Sequence, residues 1–231
     1  MRFLSIELIF LGILTVVNAG DKHITIINSC DSVVTVGVLT NGRTASSPDM
    51  TFDLTPKAER VITEQDTWGG RIWGRQQCSG SKQNSADCGT PGASNPATLA
   101  EFFFKGAFGK DFYDISFVDG YNLPMSIQPQ DTEGAEGYTC GSPTCSDVPA
   151  CPDENAIKGP SGQLISCQSS CSKSNTAETC CTGDHDDPNV CKPDSWSEEV
   201  KSACPDAYSF AYDDQTSTFQ CTVENYHVTF C

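Results

Sequence analysis

The chain has 231 residues, with 14 basic and 30 acidic side chains, a net charge of −16 and 14 cysteines. A surface this acidic repels nucleic acid and anionic lipid, which excludes those partners and leaves neutral or cationic ones: a polysaccharide, a chitosan-like polymer or a basic protein. An even and dense set of cysteines reads as seven disulfides formed in an oxidising compartment, and the scattered spacings, with a vicinal Cys180-Cys181 pair, match no zinc module.

Met1-Arg2 gives a positive start, Leu8 to Val17 is an apolar run, and Val17-Asn18-Ala19 offers small-residue cleavage chemistry. This layout predicts a signal peptide over residues 1–19 and a secreted mature chain from Gly20. A membrane anchor would need about 18 apolar residues, and Glu7 cuts the run short. Cleavage removes one charge of each sign, Arg2 and Glu7, so the mature chain keeps a net −16. No hydrophobic tail precedes Cys231, so a C-terminal lipid anchor is not expected.

His23 to Asn28 (HITIIN) and Ser32 to Thr40 (SVVTVGVLT) are β-rich runs with a turn at Cys30-Asp31. Thr51 to Thr63 alternates loosely, and Arg71 to Arg75 (RIWGR) follows a Gly69-Gly70 turn. Residues 77–97 read as a loop-rich insert, and Thr98 to Pro124 returns to sheet-like sequence. Ten of the cysteines fall between Cys140 and Cys221, so residues of about 147–204 read as a stapled lobe with little apolar core of its own. Trp196 to Ala203 predicts a short helix with Asp194 or Ser195 at its N-cap, and Tyr208 to Tyr212 and Tyr226 to Phe230 predict closing strands. The reading is all-β: one domain over 20–231, a flattened sandwich or barrel core (about 20–76, 98–146 and 205–231) with loop lobes and a short helical segment.

The segment from Ala100 to Gly120 holds the most informative pattern. If Gly106-Ala107-Phe108-Gly109 is a four-residue hairpin loop, antiparallel partners sum to 215 and Glu101 faces Asp114. Like charges directly opposite on a sheet are destabilising, so the pair points to a nearby arginine or to a site that uses a raised carboxyl pKa. A one-residue slip would move the two to different faces, and acidic residues are abundant enough here for a chance pairing. Asp114 and Asp119 have opposite parity, so they share a cleft only if the chain bends between them.

Several blocks resemble the thaumatin-like family: Gly70-Arg71-Ile72-Trp73-Gly74-Arg75 with Cys78; Thr98-Leu99-Ala100-Glu101-Phe102; the long run Asp111 to Met125; Cys204-Pro205-Asp206-Ala207-Tyr208 through Asp214; and Val228-Thr229-Phe230-Cys231. The resemblance covers nearly the whole mature chain and implies the pairings Cys30–Cys231, Cys78–Cys88, Cys140–Cys221, Cys145–Cys204, Cys151–Cys167, Cys171–Cys180 and Cys181–Cys191. The family more often has sixteen cysteines; the pair expected between Cys88 and Thr98 is missing. The resemblance also implies an acidic cleft of Arg71, Glu101, Asp114, Asp119 and Asp206, with Asp213 and Asp214 close to the last of these. No cofactor and no metal are expected, and the expected state is a monomer.

Two functions compete. A β-1,3-glucan hydrolase would use Glu101 as acid and an aspartate as partner across the scissile bond; a weak glucanase activity is what the resemblance implies for some members. A non-catalytic antifungal or cell-wall glucan-binding protein would grip sugar hydroxyls with the same carboxylates. Phe112, Tyr113 and Tyr208 are candidates for stacking on sugar faces, although such aromatics are more often core. A third role, as ligand of a receptor or host protein, leaves no mark in the sequence. Thr182 to Asn189 (TGDHDDPN) sets three aspartates around His185, but its spacing fits a solvated acidic loop better than a calcium loop.

Overall fold

In the computed structural model, residues 20–43, 48–76, 78, 95–159 and 161–231 are described. The β-branched runs pair as β1 (Asp21–Asn28) and β2 (Val34–Thr40). The loosely alternating stretch after them is two strands, β3 (Met50–Leu54) and β4 (Glu59–Gln65), because Lys57 takes a left-handed φ of 66° and reverses the chain. Then follow β5 (Gly69–Gln76), β6 (Leu99–Phe103), β7 (Asp111–Ser116), β8 (Gly120–Tyr121), β9 (Met125–Pro129) and β10 (Thr144–Cys145). The lobe supplies β11 (Ala156–Lys158), β12 (Leu164–Gln168) and helices α1 (Ser170–Ser174), α2 (Ala177–Cys180) and α3 (Ser195–Ala203). The chain closes with β13 (Ala207–Tyr208), α4 (Asp214–Ser217), β14 (Phe219–Cys221) and β15 (Asn225–Phe230).

The fold is all-β. One sheet runs β13-β7-β6-β5-β2-β3, with β14 also paired to β7, and the other runs β10-β9-β15-β1-β4. β1 and β15 pair in parallel, so the first and last strands lie side by side. Alternate residues of both sheets point inward and form the core: Ile24, Ile26, Val36, Ile72, Phe102, Tyr113, Ile115, Tyr226, Val228 and Phe230 are fully buried or nearly so. Tyr226 packs at 5.4–5.6 Å between ring centroids on Phe102, Phe104 and Tyr113. The buried Asp111 carboxylate is satisfied by Lys22 Nζ at 2.6 Å, the Tyr226 hydroxyl at 2.8 Å and the Lys105 N–H at 3.1 Å, as a buried charge requires.

The lobe is held differently. Its three-stranded sheet, β11-β12-β8, joins it to the turn after β7, and its helices are short and capped by side chains: Ser169 on α1, Thr176 on α2 and Asp194 on α3. The bridges Cys145–Cys204, Cys151–Cys167, Cys171–Cys180 and Cys181–Cys191 cross it, while Cys140–Cys221 and Cys30–Cys231 tie the sandwich. Cys78 is disulfide-bonded; its expected partner, Cys88, lies outside the described residues, as does most of the 77–97 insert. The strand expected over Tyr208 to Tyr212 stops at Tyr208, because the Asp213 carboxylate accepts from the Ser209 N–H at 3.0 Å and folds the chain back.

Candidate functional site

Strand alternation puts every second residue of β5, β6 and β7 on the outer face of the larger sheet. Arg71 pairs with Glu101, and Glu101 with Asp114, in direct antiparallel register. The three side chains therefore stand in one row across three strands, spaced by about 4.8 Å per strand. Their sequence neighbours Ile72, Ala100, Phe102, Tyr113 and Ile115 turn into the core and anchor the row from below. Beside it the Trp73 ring lies against Gly37, where a Cβ would fall 2.2 Å from the indole; Trp73, Leu39, Ala97 and Leu99 make a small second apolar cluster on this outer face.

Asp119 reaches the row through a bend. β7 ends at Ser116, the Gly120 N–H bonds back to the Phe117 carbonyl at 2.8 Å, and Val118-Asp119 form the corner. Gly120 has φ 119°, and a Cβ there would sit 2.1 Å from the Cys167 carbonyl oxygen, so only glycine permits this corner. The Arg71 guanidinium acts on both Glu101 and Asp119.

The electrostatics follow from burial and from the placement of that one cation. Burial raises the Glu101 pKa; Arg71 and the Ser116 hydroxyl pull it down, and Asp119 pushes it up again, leaving it above the usual range. Asp119 is raised by burial, with Arg71 opposing. Asp114 is raised most: burial, then Glu101, then Asp214 all act in the same direction.

For Asp206, the fifth expected member, the Oδ2 accepts from the Thr144 N–H at 3.1 Å. The aspartate whose charge bears on Asp114 is Asp214, at the start of α4, where its Oδ1 accepts from the Tyr208 hydroxyl at 3.0 Å. Tyr208 sits on β13 beside Ser116 and shares a second hydrogen bond with Thr218. Of the stacking candidates, Tyr113 is withdrawn: it has the inward parity, is fully buried, and donates to the Gly141 carbonyl at 2.6 Å. Phe112 has the outward parity of Asp114 and pairs across the strands with Phe103, which is 55% exposed. Both rings border Gly106 in the hairpin loop, and Phe108 at its tip is fully exposed. Phe103 was readable from the sequence, since it shares parity with Glu101; Asp214 was not, since nothing local separates it from Asp206 and Asp213.

Among the described residues no group of three His, Cys, Asp or Glu side chains is arranged to hold a metal ion. In the TGDHDDPN loop, Asp186 accepts from the Tyr212 hydroxyl at 2.6 Å, and Asp187 accepts from the Asn189 N–H at 2.7 Å.

A two-sheet sandwich with a disulfide-stapled lobe and an acidic row on one outer sheet face defines a thaumatin-type architecture. The sequence matches the Thaumatin family over residues 28–231, and the chain belongs to that family. It is 41% identical to "Pathogenesis-related protein 5" of Arabidopsis thaliana, covering 98% of each chain. It is 39% identical to a Prunus avium protein named "Glucan endo-1,3-beta-glucosidase", covering 94% of this chain and 95% of that one. Among solved structures it shares its fold with a laminaripentaose-producing β-1,3-glucanase determined with laminaritetraose, at a TM-score of 0.59 and 11% identity, covering 91% of this chain and 98% of that one.

Proposed function

We propose that this is a secreted defence protein of the extracellular space or cell wall that binds β-1,3-glucan across the Arg71–Glu101–Asp114 row. The observation that carries the reading is the direct register of two half-buried carboxyls with one arginine at the end of the row. Ionised carboxylates accept charge-assisted hydrogen bonds from sugar hydroxyls, and Phe103 and Phe112, one residue pair further along the same face, offer ring surface to a pyranose. A net charge of −16 suits a neutral polymer and not an anionic one. The relative named as a glucan endo-1,3-beta-glucosidase supports the same ligand class.

Burial and mutual repulsion raise the pKa of both carboxyls, which favours one protonated and one ionised group, the pair of states that hydrolysis of a glycosidic bond uses. The test is incubation with laminarin, reading binding and reducing-end release separately for the wild type and Glu101→Gln. The expected result is binding by both, with release by the wild type at least about 10²-fold faster. Binding with no release by either protein establishes the non-catalytic glucan-binding reading. Absence of binding overturns the assignment.

A further inference from the structure

Asp114 differs in kind from the other acids of the row. Among the described residues its side chain makes no hydrogen bond, and its Oδ1 is buried without a partner. The groups facing it are negative or neutral on every side. Glu101 lies opposite on β6, Asp214 approaches from α4, the Tyr208 hydroxyl stands on β13, and β14 presents Phe219 and Gln220. Arg71, the cation of the row, is a further strand away and is shared by Glu101 and Asp119. An ionised carboxylate with an oxygen out of water, no donor and two anions for neighbours is strongly disfavoured; a neutral carboxylic acid in the same place is not. The residue as a whole is only half-buried, so the acid remains open to the cleft.

A glucan presents two kinds of oxygen. Its hydroxyls donate and accept, whereas its ring and glycosidic oxygens only accept. Ionised carboxylates accept only and cannot serve the latter. We propose that Asp114 is the hydrogen-bond donor of the cleft, a neutral acid that offers its O–H to an ether oxygen of the bound glucan, while Glu101 and Asp119 act as ionised acceptors for its hydroxyls. This rests on the glucan reading and reverses the expected placement of the proton on Glu101. Asp214 is then a positioning residue, since its negative charge helps to keep the proton on Asp114.

The sign of the pH dependence follows. Below the Asp114 pKa the donor is present; above it the residue becomes one more anion, and affinity falls as pH rises through that value. Two measurements test this. Carboxyl-carbon NMR of the ligand-free wild type reads where Asp114 titrates, and laminarin affinity is followed across the same pH range. Asp114 is expected to titrate above the ordinary carboxylate range, and to move down in Asp214→Asn. Wild-type affinity is expected to fall at least tenfold across the Asp114 midpoint. Asp114→Asn, which keeps an N–H donor but cannot ionise, should flatten that fall, and Asp114→Leu should bind weakly at every pH. Asp114 titrating in the ordinary carboxylate range, or a wild-type affinity with the same pH profile as Asp114→Asn, overturns the proposal and leaves the glucan reading standing. No binding of laminarin by the wild type at any pH overturns the glucan reading, and the donor assignment with it.

Discussion

The two faces of the larger sheet are made by the same strands and do opposite things. On the inner face, Ile72, Phe102, Tyr113 and Ile115 are buried and hold the sandwich together. On the outer face, one residue away in each case, Arg71, Glu101 and Asp114 stand in a row that a purely structural sheet would avoid. The period-two alternation of a strand thus separates the core from the proposed binding face at the resolution of a single residue. A side chain's parity, more than its position along the chain, decides which of the two it serves.

Substitutions at neighbouring positions should break this contrast if it is wrong. The largest effect belongs to the inner face: Phe102→Ala removes a ring packed on Trp68, Phe104, Tyr113 and Tyr226, and chemical denaturation should show a loss of about 3–5 kcal/mol. The next is on the outer face and has the opposite sign. Asp114→Asn removes a carboxyl that resists ionisation in the folded chain and ionises freely in the unfolded one, so stability near neutral pH should rise by about 1 kcal/mol or more. Because the folded-state pKa of Asp114 lies above its unfolded value of about 3.9, the folded chain binds more protons between the two. Wild-type stability therefore declines as pH rises through that interval, and the gain from Asp114→Asn should vanish below it. Melting temperatures of the two proteins that run parallel from acid to neutral pH would contradict this. The smallest effect is expected at Phe103→Ser. An exposed position should change stability by no more than about 0.5 kcal/mol, while laminarin affinity should drop about two- to tenfold, the worth of one aromatic contact. Equal affinity of Phe103→Ser and wild type would remove the aromatic ledge from the binding face.

How much of this was legible in the sequence depended on how local the determinant was. The Glu101–Asp114 pairing was legible as a condition, since centring the turn on Gly106 to Gly109 gives the observed register and a one-residue slip would not. Parity alone also excludes Tyr113 from the cleft once Asp114 is placed there. Asp119 was legible only as a condition, since the bend that brings it round depends on Gly120 fitting against the Cys167 carbonyl from the lobe. The partners that Asp206 and Asp214 take, Thr144 for the first and Tyr208 for the second, are set by tertiary structure, which no spacing reveals. In the lobe, α1 and α2 went unread because each is about one turn long and set by its capping hydroxyl and its crosslink, not by an apolar stripe. α3, with nine residues and Asp194 at its N-cap, is long enough to show a pattern.

The parallel pairing of β1 with β15 has a bearing on how the molecule is made. In the five-stranded sheet β15 lies between β9 and β1, so β1 and its antiparallel partner β4 have no link to the rest of that sheet until residues 225–230 arrive. β1 must wait, with one edge unpaired, for a strand about 200 residues further along the chain. Assembly of the five-stranded sheet therefore follows synthesis of residues 225–230, and the Cys30–Cys231 bridge can close only after that. A nascent chain in that condition carries an open β edge for the whole of its translation, and a polypeptide stopped just short of residue 225 would be left without the strand that makes its first half part of a fold.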